Sequence, residues 1–191
     1  AARQKTFRTV GENERLRILV MGGSQGARSV DQRVPEALAQ AGLAGRVMVT
    51  HQGQAENLDG VRAIYAGAGI EATVVPFIDD MAQAYLAADL VVARSGATTV
   101  AEVTVMGLPA VFLPYPHHAD RQQEKNAAAM KRTGAAIVLD EKVTGVAELR
   151  LAITSFVDDE HKRREAALAS ARLGRPDAAQ QIADALREMT R

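Results

Sequence analysis

Residues 90–123 read LVVARSGATTVAEVTVMGLPAVFLPYPHHADRQQ, which is an apolar strand, a turn of small residues, a short helix, a second apolar strand and a polar turn. A buried strand, a helix and a second strand in succession predict a right-handed crossover between parallel strands. Both turns follow strands, so they lie at the edge of the sheet where such folds bind ligands. A turn of small residues beside a strongly polar turn favours a polar ligand that carries phosphate.

The same alternation of strand and helix continues on both sides of this stretch. Six short apolar runs predict strands at 17–21, 46–51, 73–77, 90–93, 110–113 and 136–139. Helical patterns follow them at 27–41, 58–68, 81–87, 98–106, 121–133 and 146–156. Two further helices are expected after Asp159, separated by a break at 174–177, with Asp177 as the N-cap of the second. Six parallel strands in one sheet predict a single Rossmann-like α/β domain.

The composition is that of a globular domain and excludes several classes of protein. The chain has 191 residues, of which 47% are apolar and 24% charged. Its 23 Lys and Arg balance 23 Asp and Glu, so no overall field attracts nucleic acid or an anionic membrane. Without cysteine there are no disulfides and no thiolate metal sites. Since no apolar run reaches 18 residues and the first 17 residues are polar, we expect neither a membrane span nor a signal peptide.

The turn after the first predicted strand is rich in glycine and leads into a helix. It reads GGSQGAR at 22–28, with Gly23, Ser24, Gln25 and Gly26 at its centre. Free backbone N–H groups at a helix start suit a diphosphate. The spacing matches neither G-x-G-x-x-G nor the Walker loop, and the second predicted strand ends without an acidic residue, which argues against NAD and against ATP hydrolysis. A close-packed corner between strand and helix explains the glycines equally well.

The turn after the fourth predicted strand repeats this arrangement. It consists of Ser95, Gly96, Ala97, Thr98 and Thr99. The hydroxyls in this turn can cap the next helix or donate to phosphate oxygens. Glu102 follows about one turn into the helix, where a carboxylate can accept from two vicinal ribose hydroxyls. The helix dipole also favours an acidic residue near the N-terminus, and spacing alone slightly favours that explanation.

The polar turn at 117–123 places two amide side chains at the start of a helix. Gln122 and Gln123 offer donors and acceptors suited to sugar hydroxyls, and Asp120 is expected to cap the helix. His117 and His118 suggest a metal ligand or a general base. No further histidine stands at helical spacing to complete a site, so we expect no metal.

Three other residues near strand ends have two possible interpretations. Phe77 could stack on a flat base while the Ile78 backbone pairs with its polar edge. The alternative is that both are core residues before an Asp79 N-cap, and sequence alone favours it. His51 ends the second predicted strand on the ligand side of the sheet, where a structural histidine with satisfied hydrogen bonds is expected.

Five motifs in a fixed order link the chain to a known family. They are GGSQGAR at 22–28, FIDDM at 77–81, ADLVVARSGATTVAE at 88–102, GLPAVFLPYP at 107–116 and DRQQ-x-x-NA at 120–127. Together they closely resemble the C-terminal half of the MurG family of bacterial glycosyltransferases, from about residue 17 to the end. The resemblance implies the GT-B fold, in which two Rossmann-like domains face each other across a cleft. It also implies that this half holds a UDP-sugar, without a metal or a cofactor.

The resemblance assigns a role to each matching residue. Phe77 and Ile78 would hold the uracil, and Glu102 would accept from the ribose hydroxyls. Gln122 and Gln123 would hold the hydroxyls of N-acetylglucosamine (GlcNAc), with Asn126 supporting them. The diphosphate would lie against the 22–26 loop, especially Ser24, and against residues 97–99.

The activity that the resemblance implies is an inverting, metal-independent transfer in peptidoglycan synthesis. GlcNAc passes from UDP-GlcNAc to lipid I (undecaprenyl-pyrophosphoryl-MurNAc-pentapeptide), which gives lipid II. The family's N-terminal domain supplies the acceptor site, the membrane contact and the base, so no catalytic residue is expected here. The implied location is cytoplasmic, at the inner membrane's cytoplasmic face for the full-length enzyme.

The resemblance also suggests how the chain is divided. We expect a linker remnant at 1–16, the UDP-sugar domain at 17–176 and a C-terminal helix at 177–191. Two alternatives stay open: a naturally separate donor-binding subunit of a split GlcNAc transferase, and a related GT-B enzyme that uses another UDP-sugar. A nucleic-acid partner is not expected.

Overall fold

The computed structural model describes residues 7–11, 14–23, 27–117 and 120–189. The strands are β1 Leu16–Met21, β2 Val47–Gln52, β3 Glu71–Val75, β4 Leu90–Ala93, β5 Ala110–Phe112 and β6 Ala136–Val138. The helices are α1 Arg28–Gln40, α2 Leu58–Gly67, α3 Met81–Ala87, α4 Ala97–Met106, α5 Gln122–Arg132, α6 Val146–Val157, α7 Glu160–Leu173 and α8 Ala178–Met189. A short 3₁₀ turn, Ala55–Asn57, precedes α2.

The six strands form one parallel sheet in the order β3-β2-β1-β4-β5-β6. This order confirms the predicted Rossmann-like domain. The strand order reverses between β1 and β4, which pair from Ile18↔Leu90 to Met21↔Ala93. At such a reversal the loops leaving the two strands diverge, so a crevice opens at the carboxyl ends of β1 and β4.

Two apolar layers cover the sheet because successive strand residues point to opposite faces. Ile18 and Val20 face the layer that includes residues of α1, α2 and α6. Leu19 and Met21 face the layer that includes residues of α3, α4 and α5. Every residue of β4 is buried, as expected for a strand covered on both faces.

The third strand departs furthest from its predicted bounds. The sequence predicts a strand at 73–77, whereas β3 is Glu71–Val75. Its last carbonyl, that of Val75, accepts a hydrogen bond from the Gly53 N–H at 3.1 Å. Pro76 has no N–H to continue the ladder, so the strand stops there. Phe77 therefore lies in the loop beyond the strand.

Phe7 and Arg8, in the described segment before β1, pack against the domain. Arg8 donates to both carboxylate oxygens of the buried Asp89, from Nε at 3.1 Å and from a terminal nitrogen at 2.5 Å. Asp89 also accepts from the Arg17 N–H at 2.9 Å. The Phe7 ring centre lies 5.8 Å from the guanidinium carbon of Arg163, which is buried. These contacts hold Phe7 and Arg8 against the domain.

The last helix differs from the others in that none of its residues is buried. Its apolar residues Ile182, Leu186 and Met189 are exposed. Within the described ranges, no helix combines the length and the apolar character that crossing a bilayer requires.

Replacing Gly174 by alanine is expected to destabilise the domain through a steric clash. Gly174 ends α7 with an ordinary extended backbone (φ −62°, ψ 147°), so strain is not the issue. A Cβ here would lie 2.6 Å from the Thr104 carbonyl oxygen on α4, which cannot rotate away. We expect the free energy of unfolding to fall by about 1–3 kcal/mol, measured by urea denaturation.

Gly60 offers a matched control for this substitution. It lies inside α2 and is exposed, and beyond its own helix backbone and chain neighbours no atom of the described residues lies within 4 Å of an added Cβ. Gly60→Ala is expected to be neutral or stabilising by up to about 1 kcal/mol, because alanine favours helix. Equal stabilities for the two variants would show that the α7–α4 contact is not close.

Candidate functional site

An open cavity of about 980 Å³ lies at the carboxyl ends of the strands. All six strands contribute to its wall through their last residues or through the loops that follow them. Contributing residues include Gly23 after β1, Gln52 of β2, Phe77 after β3, Gly96 after β4, Tyr115 after β5 and Glu141 after β6. The cavity therefore occupies the crevice that the strand reversal creates.

Two helices begin at this cavity. Ala27, Arg28 and Ser29 line it at the start of α1, and residues 97–99 line it at the start of α4. Within the described residues, no side chain caps either helix start through a hydrogen bond. Uncapped helix starts concentrate backbone N–H groups and partial positive charge, which suits an anion such as a diphosphate.

The glycine loop between β1 and α1 is described only in part. Gly23 has φ +86°, a conformation that favours glycine, and apart from its chain neighbours no atom of the described residues lies within 4 Å of a Cβ added there. Gly23 lines the cavity. The other predicted residues of this loop, Ser24, Gln25 and Gly26, lie outside the described residues.

Glu102 lines the cavity from α4 and is held by a tyrosine. Its Oε2 accepts a hydrogen bond from the Tyr85 hydroxyl at 3.0 Å. Burial raises the pKa of Tyr85, and the negative charge of Glu102 raises it further, so the phenol stays protonated and donates. No acidic residue lies in the first turn of α4. The helix dipole therefore does not explain Glu102, since its effect fades beyond that turn.

Phe77 and Ile78 occupy different environments. The Phe77 side chain is 66% exposed and lines the cavity, so the alternative that both are core residues is wrong for Phe77. Ile78 is half-buried and packs against the core layer that contains Tyr85. Asp80, rather than the predicted Asp79, is the N-cap of α3 and accepts from the Gln83 N–H at 2.9 Å.

The two glutamines begin α5 and differ in their contacts. Gln123 lines the cavity, and its Oε1 accepts from the Tyr115 N–H at 2.9 Å. Gln122 is exposed and donates from Nε2 to Asn126 Oδ1 at 3.2 Å. Asp120 accepts from the Gln122 N–H at 3.2 Å, but the N-cap of α5 is Arg121, so the predicted cap at Asp120 is wrong. His118 lies outside the described residues, whereas His117 lines the cavity.

Ser95 and Asn126 support this wall from behind. The Ser95 side chain is fully buried, and its hydroxyl donates to the Gln123 carbonyl at 2.8 Å. Asn126 donates from Nδ2 to the Ser95 carbonyl at 3.1 Å. These bonds tie the start of α5 to the loop after β4, so the predicted Ser95 and Asn126 lie behind the cavity wall.

Comparison with protein families identifies the family of this domain. The model of the glycosyltransferase family 28 C-terminal domain matches residues 17–182, which is most of the chain. The chain belongs to this family. Among solved structures, the crystal structure of Acinetobacter baumannii MurG is 32% identical with a TM-score of 0.86, and the match covers 95% of this chain and 54% of that one. The resemblance to the C-terminal half of MurG is confirmed.

Curated relatives of this family 28 domain are longer proteins. The chain is 43% identical, over 176 residues, to a protein of Anaeromyxobacter sp. (strain K) and to one of Actinobacillus pleuropneumoniae serotype 5b (strain L20). Both are named UDP-N-acetylglucosamine--N-acetylmuramyl-(pentapeptide) pyrophosphoryl-undecaprenol N-acetylglucosamine transferase. The matches cover 92% of this chain but 46% and 49% of those proteins. The chain thus spans about half the length of these relatives.

In the family 28 domain, two further residues that were not predicted from the sequence line the cavity. Arg94 and Glu141 both line the cavity, are buried, and form an ion pair. Burial alone would raise the pKa of Glu141, but hydrogen bonds from Arg94 and Ser29 outweigh it and hold that pKa below its usual range. The sequence does contain a signal for Arg94, because an arginine directly follows a wholly apolar strand. It contains no comparable signal for Glu141, which lies 47 positions later.

His51 of the family 28 domain has a structural environment, as expected. It is fully buried, with Nδ1 3.0 Å from the Tyr65 hydroxyl and Nε2 3.3 Å from Asp31 Oδ1. Within the described part of the chain, no three His, Asp or Glu side chains are grouped as metal ligands.

Proposed function

We propose that this domain binds UDP-GlcNAc and is the donor half of an enzyme that transfers GlcNAc to lipid I. The relatives at 43% identity, each named for this transfer, support the proposal. So does the position of the cavity at the strand reversal, where open α/β folds bind nucleotides. The observation that carries most weight is Glu102, a carboxylate that tyrosine fixes in the same wall as an uncapped helix start.

Each part of the donor has a matching part of the cavity. Phe77 provides an exposed aromatic face for the uracil, and the Ile78 backbone lies beside it. Glu102 accepts from the two ribose hydroxyls next to the helix start that receives the diphosphate. Gln123, with Gln122 beside it, meets the GlcNAc hydroxyls.

The proposed chemistry is a single inverting displacement at the anomeric carbon. The 4-hydroxyl of the MurNAc sugar attacks, the bond to UDP breaks, and UDP leaves with the bonding electron pair. The diphosphate gains negative charge as the bond breaks, so helix-start N–H groups stabilise the transition state more than the ground state. We place the base, the acceptor site and the membrane contact on the other half of the longer enzyme.

Calorimetric titration of this chain with UDP-GlcNAc, UDP and ADP tests the donor role. We expect both uridine nucleotides to bind, and ADP to bind at least about tenfold more weakly, since a site that hydrogen-bonds the uracil edge rejects another base. Failure of both uridine nucleotides to bind, or equal binding of ADP, would contradict the proposal. Synthesis of lipid II by this chain alone would contradict its assignment as a donor half.

A further inference from the structure

We propose that the buried Arg94–Glu141 pair is a positioning device that holds the first turn of α1 against the donor diphosphate. This inference rests on the proposed function, and it assigns a role to two buried residues of the cavity wall. Arg94 directly follows β4, and Glu141 lies in the loop after β6, so both are far from α1 in sequence.

One guanidinium joins four parts of the fold. Arg94 is 7% exposed and donates to the Leu113 and Pro114 carbonyls at 2.7 Å and 3.1 Å. The same nitrogen donates to Glu141, and the other terminal nitrogen donates to the Ser29 hydroxyl at 2.9 Å. Arg94 therefore connects the ends of β4 and β5, the loop after β6 and the start of α1.

The loop that contains Glu141 makes a second contact with α1, about one helical turn after Ser29. Arg33 donates to the Glu141 and Thr144 carbonyls at 3.1 Å and 3.2 Å. On the other flank of α1, the Asp31 carboxylate accepts from the Gln54 N–H at 3.0 Å. The first turns of α1 are thus held from both sides, so a rotation of the helix breaks buried polar contacts.

The geometry favours positioning over direct binding of phosphate by Arg94. Its terminal nitrogens already donate to a hydroxyl, to carbonyls and to a carboxylate, which also balances its charge. Buried ion pairs contribute little to net stability, so a precise arrangement of several acceptors is the better explanation for this one. Only the planar fork of arginine reaches such a set, and lysine would not.

Glu141→Gln separates the positioning role from simple electrostatics, because the two make opposite predictions. Removing a negative charge beside an anion site would by itself tighten UDP binding. If Glu141 positions α1 through Arg94 and Ser29, its loss should instead weaken UDP binding by about tenfold, as misplacement of one helix start costs about one charge-assisted hydrogen bond. Binding of uridine, which has no diphosphate, should be unchanged.

NMR titrations of the 191-residue chain with UDP and with uridine measure both affinities. Ser29→Ala is the second variant, since it removes the link to α1 while leaving the ion pair in place. Glu71→Gln, which removes an exposed partner of Arg15 on the edge strand β3, is the matched control and should change neither affinity.

The outcomes distinguish this inference from the proposed function. If the unsubstituted chain binds no UDP, the proposed function fails. If it binds UDP but Glu141→Gln or Ser29→Ala leaves UDP binding unchanged or tighter, the positioning role is overturned. Equal weakening of UDP and uridine also overturns it, because that pattern reports a general loss of structure.

Discussion

Glu102→Ala should weaken the binding of UDP to this chain by at least about 100-fold, since two charge-assisted hydrogen bonds to ribose are lost and each is worth about 1.5–3 kcal/mol. The direction of the change in UDP affinity distinguishes ribose recognition from simple charge repulsion. Glu102 is an anion in a site proposed for an anionic ligand, so electrostatics alone predicts tighter binding once the carboxylate is removed. Calorimetric titration with UDP measures the change. Because Glu102 is exposed, the thermal midpoint should stay close to that of the unsubstituted chain.

The ligand itself provides the control for this prediction. The 2′-deoxy analogue of UDP lacks one of the two hydroxyls, so it should bind the unsubstituted chain more weakly and lose less affinity on Glu102→Ala. Tyr85→Phe removes the hydroxyl that orients Glu102 and should cause a smaller loss, about three- to tenfold, for one neutral donor. A Glu102→Ala variant that binds UDP as tightly as the unsubstituted chain would rule out ribose recognition by this residue.

The fold was predictable because apolar periodicity determines it. The predicted strand at 90–93 coincides with β4, whose four residues are buried on both faces and leave no other reading. The predicted helix at 81–87 likewise coincides with α3. The strand predicted at 73–77 failed because its apolar run continues through Pro76 to Phe77, whereas the ladder needs an N–H that proline lacks. Hydrophobicity alone does not show where such a strand stops.

The candidate site was predictable where its residues follow strands directly, and unpredictable where partners are distant in sequence. Gly96 directly precedes α4 and Thr98 lies in the first turn of that helix, at the edge where a parallel sheet binds ligands. Spacing could not predict the contact of Glu102 with Tyr85, since that tyrosine lies on another helix. Arg94 and Glu141 meet only because β4 and β6 lie in one sheet.

Asp31→Ala should lower the free energy of unfolding by about 3–5 kcal/mol, because it leaves several buried polar groups without an acceptor. Asp31 is 1% exposed on α1, with Oδ1 3.3 Å from His51 Nε2. Its Oδ2 accepts from the Gln54 N–H and from Asn57 Nδ2, each at 3.0 Å. Urea denaturation at pH 7 measures the loss.

The acid dependence of stability gives this prediction a second readout. Burial alone would raise the pKa of Asp31, but hydrogen bonds from His51, Asn57 and Gln54 outweigh it and lower that pKa in the folded state. A lowered folded pKa contributes stability that is present above the unfolded value of about 3.9 and is lost as pH falls through the folded value. The difference between the chain and Asp31→Ala should therefore be constant near neutral pH and shrink below about pH 4.

Asp59→Ala is the matched control, because it removes the same side chain from an exposed position on α2. Asp59 pairs with Arg62 at 2.8 Å in solvent, and such pairs contribute at most about 1 kcal/mol. Tyr65→Phe should cost about 1 kcal/mol, since it removes the hydroxyl at one end of the network and leaves Asp31 with its donors. If Asp31→Ala costs no more than Asp59→Ala, the carboxylate does not hold α1 to the loop after β2. The contact between Asp31 and Gln54, which is one of the two that flank α1, would then contribute nothing to the free energy of unfolding.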